Sequence, residues 1–534
     1  MKKSFLLLIL VLIFINSYTQ KPDAVVDVLS YSFSITLSDS TDEIQGRAII
    51  RFVSVRQTDS LLLNLVKLSA EKKGMTVIGV LEQKQPISFI HDKDLLKIKF
   101  ERKLPPGTEK EIEVVYRGVP KDGLIIEKNK YGHRCFFADH WPDRARNWLP
   151  CVDHPADKAM VDFIITAPDH FQVVANGIQI EESSLGNGKK RTHYSETTPL
   201  PTKVMVIGVA DFAVQLAGMV NCIPVYSWIY PEDMEKGFYD YALAVSVLPF
   251  FINNVGPYAY KKLANVQSKT RYGGLENAGA IFYFENSVTG NRLIESLFAH
   301  EIAHQWFGDM ATEKDWVHVW LSEGFATYMT VLYMENKYGK DSASKILLEN
   351  RAQTIAFSKR KMRPVVDSSV TNYMELLNPN SYQKGGWVLH MLRAQLGDSL
   401  FWKSIRTYYS RYAGKNASTE DLQKVFEETS GQNLSLFFKQ WLYTAGHPKL
   451  EISNTYDVGK KKLTITITQK QDPLFEFPLE IQIVGGTEDG TITKSALIKE
   501  KQTTIQIPMM EKPVKIMLDP QVKLLFEGVV QEIK

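Results

Sequence analysis

The chain has 534 residues, 44% of them apolar, enough for several packed cores. It carries 63 basic and 60 acidic residues, for a net charge of +3. That balance gives no basic surface of the kind a nucleic-acid-binding protein needs, so nucleic acid is not an expected partner.

Residues 1–20 open with Met-Lys-Lys, continue through an apolar run from Phe5 to Ile15, and end in Asn-Ser-Tyr-Thr-Gln. This pattern reads as a secretory signal peptide, with cleavage near Thr19 or Gln20 and an uncleaved anchor as the alternative. The run is short for a bilayer, and no other segment could cross one. No cysteine follows it, which argues against a lipid anchor. The expected location is the periplasm or the exterior. Three cysteines, Cys135, Cys151 and Cys222, are too few and odd in number for a disulfide framework. Buried free thiols are expected, with a Cys135–Cys151 bridge left open.

Residues 21–210 read mostly as strands. Tyr31, Phe33, Ile35 and Leu37 alternate with small polar residues, and Leu96, Ile98 and Phe100 alternate with lysines. Pro-Pro-Gly at 105–107 and Gly-Asn-Gly at 186–188 mark turns. Over residues 211–447 the period becomes helical: a run around residue 300, another from Ser322 to Tyr338, and further ones at Trp387–Leu396 and Leu422–Glu428. Gly308 and Gly339 stand where helices should stop. Over residues 448–534 alternation returns, with Leu463, Ile465 and Ile467, then Leu479, Ile481 and Ile483. This predicts a β-sandwich, and Lys460-Lys461-Lys462 reads as a solvated turn within it.

The chemistry concentrates at residues 300–323. His-Glu-Ile-Ala-His places His300 and His304 four apart, so a helix presents both imidazoles on one face. Glu323 follows His304 after eighteen intervening residues and offers a third ligand. Two histidines and a carboxylate leave one position of a zinc ion open, the layout of a catalytic site. The ordinary alternative is a solvated helix face. Phe298, Ile302, Trp306 and Phe307 argue against it, because polar ligands on an otherwise apolar helix need a partner. Zinc makes hydroxide available near neutral pH, and Glu301 beside the ligands is placed to be the general base. Tyr382, in Ser-Tyr-Gln-Lys-Gly-Gly, is a candidate oxyanion donor, although spacing alone favours a partly buried core tyrosine. Upstream, Gly273 and Gly274 permit close backbone approach, as at a substrate-binding strand. Glu276 is either a surface carboxylate or an anion fixed beside the metal, and residue physics leaves both open. The remaining nine histidines, His318 included, are scattered and read as structural.

The ordered set Gly-Gly-Leu-Glu-Asn, His-Glu-Ile-Ala-His-Gln-Trp-Phe-Gly-Asp, Trp-Leu-Ser-Glu-Gly-Phe-Ala and Tyr-Gln-Lys-Gly resembles the aminopeptidase N family of zinc metallopeptidases, which includes leukotriene hydrolase. Residues 147–155 and 440–448 are similar to further segments of that family. The resemblance implies an α+β multidomain chain: an N-terminal β domain, a thermolysin-like α/β catalytic domain and a C-terminal β-sandwich. It implies one Zn2+ held by His300, His304 and Glu323, with Glu301 as base and Tyr382 on the oxyanion. Glu276 would bind the α-amino group of a peptide substrate, and Gly273, Gly274 and Asn277 would belong to the substrate-binding segment. Many relatives continue into a helical domain over the site. No residues remain here for one, so a more open site is expected.

Three departures from the family pattern stand out. Leu275 replaces Met, a swap that conserves volume. Ser322 stands where Asn commonly precedes the ligand Glu, which should alter a supporting hydrogen bond. The residue that usually walls the first side-chain pocket is replaced by Asp139 or Trp141. The reading implied is a zinc aminopeptidase acting on peptides with free N-termini. Its rivals are an endopeptidase, a lipid-epoxide hydrolase and an inactive binding scaffold. Glu276 separates the aminopeptidase from the endopeptidase, and the intact set of five residues argues against the scaffold.

Overall fold

The structure, a computed structural model, describes residues 24–485 and 490–530; the leader expected over residues 1–20 lies outside them. Strict alternation builds the first region. Along Val26–Thr36, Tyr31, Phe33 and Ile35 turn inward and their neighbours stay half-exposed. This strand pairs antiparallel with Ile44–Ser54 and parallel with Lys158–Pro168, in the middle of an eight-stranded sheet. A four-stranded sheet (Gln172–Ala175, Ile207–Ala210, Arg134–Ala138, Leu124–Lys128) and a three-stranded one (Thr58–Asn64, Leu95–Leu104, Phe89–Asp92) accompany it. The turns expected at 105–107 and 186–188 are present, with Gly107, Gly186 and Gly188 at positive φ.

A five-stranded sheet follows, made of β1 (Ala213–Val220), β2 (Ile223–Ile229), β3 (Leu263–Ser268), β4 (Gly274–Leu275) and β5 (Ala280–Phe284). Its order is β1-β2-β3-β5-β4, with β2, β3 and β5 parallel and β4 an antiparallel edge. Both faces are covered, so β3 and β5 are buried almost throughout. One face, with Ala264, Val266, Ala280 and Phe282, joins the core of the N-terminal region, where Phe282 meets Phe137 edge-on at 5.5 Å. The other, with Leu263, Ile281 and Tyr283, packs on helices, and Tyr283 stacks on Phe298 at 4.2 Å. One sheet thus belongs to two cores.

The helical side contains α1 (Leu243–Asn254), α2 (Glu295–His304), α3 (Trp320–Tyr338), α4 (Lys340–Arg360) and α5 (Gly385–Leu396). Gly339 ends α3 at φ +87°, a conformation that disfavours any other residue. Beyond them a four-stranded sheet (Gln502–Pro508, Lys462–Gln469, Lys449–Asp457, Glu527–Val530) faces a three-stranded one (Thr491–Ile498, Phe477–Val484, Lys515–Leu518). Their inward rows, Leu463, Ile465 and Ile467 against Leu479, Ile481 and Ile483, are fully buried in one core that is continuous with the helices. Arg351 of α4 fastens this sandwich by donating to Asp519 and to the Leu524 carbonyl, both at 2.6 Å.

The cysteine expectation needs one correction. Cys135 and Cys151 are buried and free, whereas Cys222 is exposed in the tight turn between β1 and β2, where no core reaches it. Among the described residues, no helix is long and apolar enough to cross a membrane.

Because Phe298 carries α2 onto β5, Phe298→Ala should cost about 3–5 kcal/mol. Calorimetry should show a lowered unfolding midpoint, and an unchanged midpoint would contradict this account of the packing.

Candidate active site

Helix α2 points one face into the core through Phe298, Ala299, Ile302 and Ala303, all fully buried. The opposite face presents His300, Glu301 and His304. Its N-terminus is fixed by Glu295, which accepts hydrogen bonds from Tyr333 and Tyr338 at 2.5 Å and from Lys337, and whose charge also suits the helix dipole. Helix α3 delivers Glu323 in its first turn.

The three side chains converge. Glu323 Oε2 lies 3.4 Å from His300 Nε2 and 3.3 Å from His304 Nε2, and the two imidazole nitrogens are 3.1 Å apart. Ligands held at about 2.0–2.2 Å by a tetrahedral ion stand roughly 3.3–3.6 Å from one another, so the spacing fits a shared metal. Glu323 Oε2 is buried and has no hydrogen-bond partner, a costly arrangement unless a cation sits there. The imidazoles press the same way: burial acts to raise the Glu323 carboxyl, but His304 and His300 hold it well below the usual range. Burial likewise opposes charge on His304, and Glu323 and Glu276 nevertheless lift it to about 10. The cluster is built to hold positive charge.

His304 is oriented from behind. Its Nδ1 lies 3.1 Å from the Phe307 carbonyl and 3.0 Å from Ser322 Oγ. A proton on Nδ1 donated to that carbonyl leaves the Nε2 lone pair facing the ligand cluster. Ser322 thus occupies a supporting position, and Gly308 makes room for it: a Cβ there would meet Ser322 Oγ at 2.2 Å.

Glu301 is almost fully buried. Burial pushes its carboxyl well above the ordinary range, and the charges of Glu276 and Glu323 push the same way against His304. It lies directly under the edge strand, since a Cβ on Gly274 would fall 2.3 Å from Glu301 Oε1. Gly274 is therefore glycine because the carboxylate needs the space; Gly273 is less constrained, its nearest such contact being Leu297 at 3.8 Å. Glu276 follows β4, is 5% exposed, and leaves Oε1 without a partner. Its backbone carbonyl accepts from Gln305 Nε2 at 2.8 Å, and Gln305 also bonds Asp309 and the Gly279 N–H. Asn277 is fully buried, forms the turn into β5, and does not line the cavity.

Tyr382 sits in a π-helical turn, Asn380–Lys384, with its ring stacked over His300 at 6.0 Å. Such turns recur at functional sites. Burial raises its phenol well above the ordinary value, with Glu323 adding to the effect, so the hydroxyl keeps its proton. The turn is pinned by Ser381 to the Leu376 carbonyl at 2.6 Å and by Lys384 to the Gly446 carbonyl at 2.7 Å. Gly324 and Gly385 bring α3 and α5 together. A Cβ on Gly324 would lie 2.9 Å from Gly385, and the reverse contact would be 3.0 Å. That close approach is what places Tyr382 beside Glu323.

These groups line a cavity of about 300 Å³, with Trp141, Tyr272, Leu297 and Leu377 among its walls. Of the two expected pocket residues, Trp141 is in the wall and Asp139 is not. Asp139 lies behind, taking Arg144 as ion partner and accepting from Thr270 Oγ1 and the Arg271 N–H. His318 is away from the cluster, bonded to Thr419. Sequence reasoning missed Gln305, Tyr272, Leu297 and Leu377. Only Gln305 carried a signal, as the residue directly after His304.

A family model described as the peptidase family M1 domain matches residues 239–441, and the peptidase M1 N-terminal domain model matches residues 28–204. Leucyl aminopeptidase of Saccharolobus solfataricus is 25% identical over 509 residues, covering 90% of this chain and 61% of the relative. Aminopeptidase M1-C of Oryza sativa subsp. japonica is 26% identical over 417 residues, covering 74% and 47%. Probable aminopeptidase 2 of Sulfurisphaera tokodaii is 27% identical over 429 residues, covering 76% and 54%. The chain therefore spans about half to three-fifths of the length of these relatives. In fold it is similar to the crystal structure of Legionella pneumophila aminopeptidase A in complex with aspartic acid, with a TM-score of 0.82 at 16% identity, covering 96% of this chain and 61% of that one.

Removing one ligand should abolish stoichiometric metal. Glu323→Ala, dialysed beside the wild type and read by elemental analysis, is expected to lose at least tenfold in zinc affinity, and full retention would contradict the shared-ion geometry.

Proposed function

We propose that this chain, which belongs to the peptidase M1 family, is a zinc-dependent aminopeptidase that removes single residues from peptides with a free α-amino group. The observation that carries this reading is the meeting, in one cavity, of three side chains spaced to hold one metal ion with the unpartnered Oε1 of Glu276 beside an open strand edge. Zinc bound by His300, His304 and Glu323 would supply Lewis acidity to the scissile carbonyl and to water.

The remaining work falls to the chain's own side chains. Glu301 takes the proton of the attacking water and passes it to the leaving amine, a role suited to a carboxyl whose proton affinity burial has raised. Tyr382, holding its proton, donates to the developing oxyanion. Glu276 receives the substrate ammonium, which supplies the partner its Oε1 lacks. The free edge of β4 offers its backbone to an extended peptide. Trp141 forms part of the pocket for the first side chain. An acetylated N-terminus brings no positive charge to Glu276, which disfavours endopeptidase action. We further propose, from residues 1–20, that the protein is exported.

Purified protein should release the first residue from a peptide with a free N-terminus, stop when zinc is chelated, and spare the same peptide acetylated. Equal cleavage of both would point to an endopeptidase and remove Glu276 from its role. Glu301→Gln should lower kcat by about 10²–10⁴-fold with zinc content unchanged. Gly274→Ala should also lower kcat while keeping zinc, because its Cβ displaces the Glu301 carboxylate; near-normal turnover would show that the carboxylate can move without loss.

A further inference from the structure

A second cleft of about 400 Å³ lies next to the catalytic cavity, and Leu377 lines both. Its charge is opposite. The catalytic cavity carries Glu276, Glu301 and Glu323, whereas the cleft is lined by Arg360, Lys361 and Arg363 with Glu375 as its only acid. Glu375 is shared by Lys361 and Arg363, at 3.3 Å from each, and Arg363 also lies 3.7 Å from Asp367. Arg360 has no ion pair among the described residues. Arg360 and Lys361 sit at the C-terminal end of α4, where the helix dipole favours cations, but that effect is modest and leaves positive charge facing the cleft. The cleft floor, Leu377 to Pro379, runs straight into the turn that bears Tyr382, and the Tyr382 N–H donates to the Asn378 carbonyl at 3.3 Å.

We propose that this cleft is a carboxylate subsite that makes the enzyme prefer acidic or short peptides. This rests on the aminopeptidase reading above. A peptide brings an ammonium at one end and a carboxylate within a few residues, at about 3.3–3.6 Å per extended residue. The acidic cavity takes the ammonium through Glu276. The basic cleft behind Leu377 takes the carboxylate, and the forked guanidiniums of Arg360 and Arg363 suit it geometrically. The carboxylate is either an acidic side chain near the N-terminus or the C-terminus of a short peptide. Being exposed, the subsite acts mainly on KM and weakens with salt.

The test uses the full, zinc-loaded chain and the combined variant Arg360→Gln, Lys361→Gln and Arg363→Gln, all solvent-facing positions. Four substrates are compared: alanine p-nitroanilide, tri-alanine free acid, tri-alanine amide, and Ala-Asp-Ala amide, whose acidic side chain lies beyond the first residue. For the wild type, kcat/KM should favour carboxylate-bearing peptides, and the preference should shrink between 50 and 500 mM salt. In the variant the ratio of carboxylate-bearing to carboxylate-free substrate should fall by about tenfold, through KM, which corresponds to about 1.4 kcal/mol. Loss confined to the free-acid pair identifies the C-terminus, and loss confined to the Asp pair identifies the side chain; either supports the subsite. Ratios unchanged within twofold, with alanine p-nitroanilide hydrolysed, overturn the subsite alone. A wild type inert to every free N-terminus overturns both readings.

Discussion

Buried negative charge is the constraint around which the catalytic half is organised. Glu276, Glu301 and Glu323 are each no more than 5% exposed and sit within a few ångströms of two imidazoles. Three carboxylates in a low-dielectric site cannot all remain ionised without compensation. The structure distributes the burden. Glu323 faces the imidazoles and the position a metal would take. Glu301 is pushed toward holding a proton. Glu276 keeps one oxygen unpartnered. Each solution corresponds to a different part of the proposed reaction: metal, proton and substrate ammonium.

Such a cluster persists only if the surrounding elements are rigid, and the fold supplies that rigidity by sharing. The five-stranded sheet contributes alternate residues to two cores, so the strand edge cannot shift without disturbing both. Helix α2 is clamped between that sheet and α3. Helices α3 and α5 touch through Gly324 and Gly385, the residues directly after Glu323 and three after Tyr382. The spacing between Glu323 and Tyr382 is thus set by the absence of two side chains.

What the sequence made legible follows from the range of the interactions. His300 and His304 are one helical turn apart, so their common face is a local property. The outer strands declare themselves because one face of each is wet, as Tyr31, Phe33 and Ile35 show. Strands β3 and β5, Leu-Ala-Asn-Val-Gln-Ser and Ala-Ile-Phe-Tyr-Phe, are covered on both faces, so alternation could not reveal that each belongs to two cores. The choice between Asp139 and Trp141 depended on Arg144 and Arg271 drawing the carboxylate inward. The exposure of Cys222, the contact of Gly324 with Gly385, the Leu377 wall and the π-helical turn are likewise tertiary facts. Glu276 could not be assigned from its neighbours because its proposed partner is the substrate.

The N-terminal region is bound to the site by charge as well as by packing. Lys203 pairs with Glu313 at 2.6 Å with both groups fully buried, and Lys158 donates to the carbonyls of Asp309 and Met310. Burial pulls the Lys158 ammonium down to about 7, with Asp309 and Glu313 resisting, so desolvation takes back much of what these contacts give. Buried ion pairs of this kind add little net stability over an apolar substitute, but separating one strands an uncompensated charge. Asp309 also holds Gln305, and Gln305 holds the Glu276 carbonyl. A shift of the N-terminal β region against the helices would therefore strand Glu313 and Lys203 and disturb the segment carrying Glu276. The contacts fix register more than they add stability, and register is what a site of three buried carboxylates requires.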